Sequence, residues 1–373
     1  MNNNKSTSGR LGVALEDLLG AERKWIEIVT HDGQFHADEV FASAVILRMR
    51  NSDPVASMTL AVDFIRTRAL GALPDLKPGT DRFFLDVGGV YDPAQLRFDH
   101  HQREGAGERP SGIPYATSGL VWKHIGPALC TGPEVHAMVD SKLFAALDAA
   151  DCGFDLRKVG LGPESGEVRP GAPANGAGSG PVRPMNMSAA VSAFNPTWNA
   201  LGGPDEQLTQ FKAAVAWAGL ILDQVIRQAE SSVLATEALN QALAEEREDR
   251  RILVLRQFIP WQETIAAHPE VMFVVFPPTM GTTALGQPEL QQWNVQCAPG
   301  PEPFSKRLPL PEAWAGLEGS ALANATGVRD AVFCHRGRFI CGARTYAGAM
   351  KLARLALRIE DARAELLARG ADG

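Results

Sequence analysis

The 373-residue sequence contains no run of about 18 apolar residues, so it offers no helical segment fit to cross a membrane. Its start, MNNNKSTSGRLG, is polar and lacks the apolar stretch of a secretory signal. Its five cysteines (Cys130, Cys152, Cys297, Cys334 and Cys341) form no C-x-x-C pair. An odd, scattered set in a long chain reads as reduced, mostly buried thiols, which places the expected location in the cytoplasm. There is no solenoid-type repeat and no long block of one charge sign. With 21% charged residues and a net charge of −7, the chain lacks the basic surface usual in proteins that grip long duplex nucleic acid. What remains is a globular composition with 45% apolar residues, enough for two domains or one large one.

What is present is uneven. The stretch THDGQFHADE, Thr30 to Glu39, packs two histidines and two aspartates between positions 31 and 38. Ahead of it, KWIEIVT has the β-branched pattern of a strand. Behind it, DEVFASAVILRMR opens with two acids and spaces its apolar residues as a helix does. The cluster therefore belongs to a strand-to-helix turn, where open α/β sheets bind ligands. Further strands are expected at DFIRTRA, at DRFFLDVGG ending at Asp86, and at LRFDHH ending at Asp99, His100 and His101. Helices are expected at SGLVWKHIG and EVHAMVDSKLFAALDAAD. This alternation predicts an α/β fold with a mainly parallel, doubly wound sheet.

The Gly/Pro-rich stretch 160–184 reads as a loop, and 205–248 as one or two long connecting helices. Strands resume after Arg250 in a smaller α/β domain that ends in a long helix. From Arg251 onward 13 basic residues face 11 acidic ones, so the acidic surplus lies in the part carrying the histidine and aspartate clusters. The expected division is a disordered arm at 1–22, a metal-binding catalytic domain at 23–200, a helical connector at 201–250 and a substrate-binding domain at 251–373.

Single surface histidines and aspartates mean little. Jointly, His31, His36 and Asp38, then Asp86, then Asp99, His100 and His101, then Asp148 and Asp151 can converge on one rim of one sheet. So many carboxylates and imidazoles repel or stay unsatisfied without cations. Mixed His and carboxylate donors favour Mn²⁺, with Mg²⁺, Fe²⁺ or Zn²⁺ as alternatives. Five to seven donors are too many for one ion, and two ions suit phosphoryl chemistry.

The motifs THDGQFHADE, FFLDVGGVYDP, FDHHQ, DAADCGFD and FCHRGRFICGARTYAGA, in that order, resemble the melanocyte proliferating gene family of the DHH phosphoesterase superfamily. The resemblance implies metal ligation by His31, His36, Asp38, Asp86, His100 and Asp151, with Asp86 bridging two ions and Asp148 as the alternative last ligand. It implies that His101 donates a proton and that Asp99 orients its neighbours. An extended strand through this triplet would turn His101 away from His100. In the C-terminal, DHHA1-like domain, His335, Arg336, Gly342 and Arg344 are the implied substrate-binding residues. Cys341–Gly342 stands there where the family carries a Gly-Gly pair. The implied activity is 3′–5′ exonuclease on single-stranded RNA or short oligonucleotides. A pyrophosphatase or small phosphoester hydrolase, and a non-catalytic metal-binding regulator, are the alternatives. No membrane partner is expected, and homodimerisation is left open. Arg66 and Arg68 are expected in sheet-edge salt bridges, and Trp198, Trp261, Trp293 and Trp314 in packing.

Overall fold

The computed structural model describes residues 25–51, 61–75, 80–156, 185–200, 202–277, 292–302 and 304–371. The arm expected at 1–22 and the Gly/Pro-rich stretch lie outside these residues. The chain divides into two compact units, one up to Glu230 and one from Ser231. The fold is α/β, with one five-stranded sheet in each unit.

The first unit is built on strands β1 (Trp25–Thr30), β2 (Ala61–Arg66), β3 (Thr80–Leu85), β4 (Tyr91–Asp92) and β5 (Arg97–Phe98) in the order β2-β1-β3-β5-β4. All neighbouring pairs are parallel except β4 with β5. Ile26, Ile28 and Val29 of β1 and Phe83 and Leu85 of β3 are buried, as expected for central strands of a parallel sheet. Glu27 and Arg82 lie opposite each other in the β1–β3 register and form a 2.6 Å ion pair, so the polar positions of the two strands match.

Helix α1 (Ala37–Asn51) follows β1 and buries Val40, Phe41, Ala44 and Val45. Helix α2 (Thr117–Ile125) packs on α1. The helix expected from 134 to 151 is interrupted. Pro133–Val139 (α3) and Ala145–Asp151 (α4) are joined by a wider π-type turn, Asp140–Phe144. A short helix, α5 (Met187–Ser192), and one 42-residue helix, α6 (Gly203–Ala244), follow.

The second unit has strands β6 (Ile252–Val254), β7 (Phe273–Phe276), β8 (Trp293–Cys297), β9 (Ala331–Cys334) and β10 (Ile340–Ala343), ordered β6-β7-β8-β10-β9. Only β6 and β7 are parallel; the other pairs are antiparallel. Alternate residues supply two cores. Ile252, Phe273 and Val275 join Trp314 and Leu352, whereas Leu253, Val274 and Phe276 join Trp261 and Leu239. Helices α7 (Gln262–Ala266), α8 (Gly319–Thr326) and α9 (Tyr346–Ala371) complete the unit. All five cysteines are free. No helix among the described residues is long and apolar enough to cross a membrane.

Candidate metal centre

The chain leaves β1 through α1 to reach β2 on one side, and β3 pairs with β1 on the other side. The carboxyl ends of β1 and β3 therefore flank the point where strand order reverses, a crevice that open α/β sheets use for ligands. Thr30 is opposite Leu85, and Leu85 is opposite Phe98. His31, Asp86 and Asp99, the next residues of each strand, consequently stand side by side. They open on a cavity of about 860 Å³ lined also by His36, Asp38, His101 and Asp151.

The loop after β1 is shaped from both ends. Glu39 sits in the first turn of α1 and reaches back to the His36 N–H with both oxygens, at 3.0 and 3.1 Å, a capping arrangement. The Asn195 side chain accepts from the Phe35 N–H at 2.9 Å and donates to the Phe35 carbonyl at 2.8 Å. Within this frame His31 is 4% exposed and its Nδ1 lies 2.8 Å from the Asp32 carbonyl. A carbonyl can only accept, so Nδ1 carries the proton, and Nε2 is the atom turned to Glu39 at 3.0 Å and Asp86 at 3.5 Å. Such a hydrogen bond on the far nitrogen is the usual support of a metal-ligating imidazole. Burial alone would lower the His31 pKa, but the Asp86 and Glu39 carboxylates outweigh it and push it up to about 10.

Asp86 adopts a left-handed backbone, φ 55°, as the chain turns out of β3. This conformation is uncommon outside glycine, and aspartate is among the residues that tolerate it best. Its two oxygens diverge. Oδ2 lies 3.5 Å from His31 Nε2, and Oδ1 lies 3.5 Å from His100 Nε2. His100 Nε2 also stands 3.1 Å from Asp151 Oδ2 and 3.9 Å from Asp38 Oδ2. Burial works against charge on Asp86, yet His100 and His31 hold its carboxyl well below the usual range. Burial lowers the His100 pKa in turn, and Asp151 and Asp86 raise it far above its ordinary value.

The donor set suits cations. Asp86 Oδ1 and His100 Nε2 are buried polar atoms with no hydrogen-bond partner; His100 Nε2 is at ion-pair distance from Asp151 but not aligned for a hydrogen bond. A buried polar group left unpaired costs about 1–3 kcal/mol, a cost that a shared cation removes. Three groups of donor atoms each fall within 4.8 Å: His31, His36, Glu39 and Asp86; Asp86, His100 and His101; His100, Asp151 and Cys152. Asp38 is fully buried and already takes the Thr117 and Ser118 N–H groups at the start of α2, at 2.9 and 2.6 Å. Burial first, then the neighbouring Asp151 and Asp86 charges, raise its pKa well above the ordinary value.

Asp148 and Asp151 are separated by their partners. Asp148 is fully buried and binds Arg109 at 2.8 Å, the Ser118 hydroxyl at 2.7 Å and the Gly119 N–H at 2.9 Å. Arg109 also forks onto Asp140 in the wide turn, at 2.8 Å from each oxygen. Asp148 thus ties α4 to α2, whereas Asp151 faces the cavity.

Expectation and structure differ at His101. Strand β5 ends at Phe98, so strand alternation does not extend through the triplet. The His100 and His101 rings stand 4.3 Å apart on the same side, and His101 Nδ1 lies 3.2 Å from Asp86 Oδ1. Asp99 is buried. It holds His101 through both Nδ1, at 2.9 Å, and the backbone N–H, at 3.0 Å, while its other oxygen takes the Gly89 N–H at 2.6 Å. The His101 side chain is 63% exposed and lines the cavity.

The four C-terminal candidates are not brought together. His335 and Arg336 sit at the β9–β10 hairpin tip, and Arg344 follows β10 at the opposite end, lining a separate cavity with Ser320, Asn324 and Arg329. Four-residue strands of about 3.3 Å rise per residue keep the two ends more than one side-chain length apart. Gly342 is buried inside β10, where an added Cβ would meet Phe333 at 3.0 Å and the Trp293 carbonyl at 3.2 Å, so its smallness serves packing. Cys341 is fully buried in the second unit's core. Two further expectations fail. Arg66 makes no ion pair among the described residues but stacks on Phe35 and Phe211, at 5.2 and 5.0 Å from their centroids. Trp198 is 98% exposed rather than packed. Arg68 does pair, with Asp32 at 2.5 Å.

Sequence reasoning missed Glu39, Cys152 and Asn195. Glu39 was read only as one of the two acids that open the helix, not as a neighbour of His31. Nothing local could have tied Asn195 to Phe35.

Residues 27–357 match the family model MYG1_exonuc, described as Uncharacterised protein family (UPF0160). Among curated proteins the chain is similar to MYG1 exonuclease of Homo sapiens, 30% identical over 88% of this chain and 85% of the relative. It is likewise similar to MYG1 exonuclease of Rattus norvegicus, 30% identical over 88% and 84%. Among solved structures, a crystal structure of exonuclease RecJ bound to manganese aligns over 95% of this chain and 94% of its own at 13% identity, with a TM-score of 0.26, too low to bear on the site. Motifs and family match agree: the chain belongs to the MYG1 family, the melanocyte proliferating gene family that its motifs resemble.

Proposed function

We propose that the chain is a two-metal phosphodiesterase that removes nucleotides from RNA or short oligonucleotides as a 3′–5′ exonuclease. The observation that carries the two-metal part is the divergence of the Asp86 oxygens toward His31 on one side and His100 on the other. His31, His36 and Asp86 would hold one ion, with Glu39 beside them; Asp38, Asp86, His100 and Asp151 would hold the other. Mixed imidazole and carboxylate donors favour Mn²⁺. Such ions supply Lewis-acid polarisation of a phosphoryl group and activation of water. The exonuclease part is supported by the human and rat relatives, which are named MYG1 exonuclease.

The residues divide the remaining work. Asp99 fixes the His101 ring through Nδ1, which leaves Nε2 toward the cavity to hold and deliver a proton to a leaving alkoxide. In the second unit, Arg344 is the candidate for contact with the nucleic acid. A pyrophosphatase would need several cations around the cavity; among the described residues a single arginine lines it.

The test is incubation of the purified chain with labelled RNA and DNA oligonucleotides of graded length, with and without Mn²⁺ or Mg²⁺. Stepwise shortening of RNA from the 3′ end, abolished by chelation, is the expected result. Absence of any phosphodiester cleavage with either ion would refute the reading.

A further inference from the structure

Each of the four parallel strands delivers its next residues to the same crevice. β1 delivers His31, β3 delivers Asp86, and β5 delivers Asp99, His100 and His101. The fourth strand, β2, delivers Arg68. The Thr67 N–H donates to the Thr30 carbonyl at 2.8 Å, which carries the pairing one residue past β2 and sets Arg68 beside His31. Among the described residues, Arg68 is the only lysine or arginine that lines the cavity.

Charge balance gives that position its meaning. The four carboxylates of Asp38, Glu39, Asp86 and Asp151 match the charge of two divalent ions. Asp99 remains, shared with His101. A phosphodiester that enters therefore meets no surplus positive charge from the floor, and among the described residues the wall offers one guanidinium. Its present contacts are replaceable. Nη1 donates to the Asp32 carbonyl at 2.6 Å and to its carboxylate at 2.5 Å, in a pair whose side chains are 62% and 56% exposed. Nη2 lies 3.2 Å from His31 Nδ1, an atom already donating to the Asp32 carbonyl, so that approach is contact rather than a hydrogen bond. Exposed ion pairs are worth little, whereas an arginine fork on a phosphate is planar, two-pronged and charge-assisted. Arg109 makes the contrast. Its side chain is 4% exposed and spends its donors on Asp140 and Asp148.

We infer that Arg68 forms an anion subsite on the wall of the metal cavity and exchanges Asp32 for a non-bridging phosphate oxygen of the bound substrate. The inference rests on the phosphodiesterase reading for its substrate, but not for its anion chemistry. Asp32 then acts as the holder that keeps the guanidinium extended along the wall until a phosphate arrives. Arg66 cannot take this part, because it is stacked on Phe35 and Phe211 and does not line the cavity.

The test separates the two readings. Inorganic phosphate is titrated calorimetrically into the Mn²⁺-supplemented full chain for the wild type, Arg68→Ala, Arg68→Gln and Arg68→Lys, with metal content measured on each. Loss of a charged hydrogen bond should weaken phosphate binding about 10–100-fold in the Ala and Gln variants. Arg68→Lys should recover part of it, since lysine keeps the charge without the fork. Metal content should not change, and KM on oligonucleotides should rise by a similar factor with a smaller change in kcat. Phosphate binding as tight in Arg68→Ala as in the wild type overturns the inference. So does metal loss in both neutral variants, which would make Arg68 a prop for the His31 loop. Arg68-dependent phosphate binding in a chain that cleaves no phosphodiester would sustain the subsite and remove the phosphodiesterase reading alone.

Discussion

The two sheets of this chain are the same size and place their polar residues differently. In the first, four strands run in one direction, so every strand end that carries a histidine, aspartate or arginine opens on the same crevice. In the second, only β6 and β7 run together, and the polar residues around β9 and β10 are dealt alternately to two opposite edges. His335 and Arg344, nine positions apart in sequence, end up on different edges, while His31 and Asp86 end up 3.5 Å apart across 55 positions. Direction of pairing, more than density of polar residues, decides whether a chain can assemble a multi-ligand centre.

The sharpest way to break the comparison is at the residue where two strand ends meet. Asp86→Asn should empty both ion positions, exceeding the roughly 10–100-fold loss usual for a supporting partner. Elemental analysis after Mn²⁺ dialysis checks this, and retention of one full equivalent would make Asp86 a ligand to one ion only. Next in size is His101→Ala. It should leave the metals in place and lower kcat on RNA by about 10²–10⁴-fold, the usual worth of general acid catalysis. The loss should be far smaller on bis-p-nitrophenyl phosphate, whose leaving group needs no proton. An equal loss on both substrates would take the proton-donor role from His101.

The third expectation concerns pH. In the metal-free protein His31 is charged at neutral pH, because Asp86 and Glu39 overcome its burial and raise its pKa to about 10, and His100 is shifted in the same direction. A metal takes only the neutral imidazole, so binding must expel these protons. Mn²⁺ affinity should then fall as pH falls, by about tenfold per unit for each proton expelled, and should level off only above about 10 for His31. Calorimetry in buffers of different ionisation enthalpy reads the proton count, and a count of zero would contradict the charged state of both imidazoles. The smallest expected effect lies in the second unit. Because His335 and Arg344 occupy opposite ends of a hairpin, the effects of His335→Ala and Arg344→Ala on KM should add within about 0.3–0.5 kcal/mol. Strong coupling in the double variant would mean that one ligand spans both.

The legible part of the fold was local. The strand, polar turn and helix around His31 follow each other within 27 residues, Trp25–Asn51, and each announces itself by its own periodicity. Asp86 was legible because a buried run stops at it. The illegible part depended on where pairing ends and which distant segments meet. His100 and His101 look alternate only if the strand reaches them, and β5 ends at Phe98, two residues short of His100. Asp148 and Asp151 differ by one helical turn, and the partner that claims Asp148 is Arg109, 39 positions away. Arg68 read as one half of a surface ion pair, which it is; its place on the cavity wall appears only when β2 is set beside β1.

The Asn195 clamp on Phe35 has a consequence for the order in which the molecule is made. The two residues are 160 positions apart, and the loop they brace carries His31 and His36. As the chain emerges from a ribosome, these histidines appear early and their brace appears last, after the residues that line the cavity, His31 to Ser192, have been synthesised. The nascent first unit thus holds a strand-to-helix turn whose outer wall is missing, and long-range closure of this kind is slow compared with local structure. On the two-metal reading, firm capture of metal would come after Asn195 has been added rather than when His31 and His36 first appear.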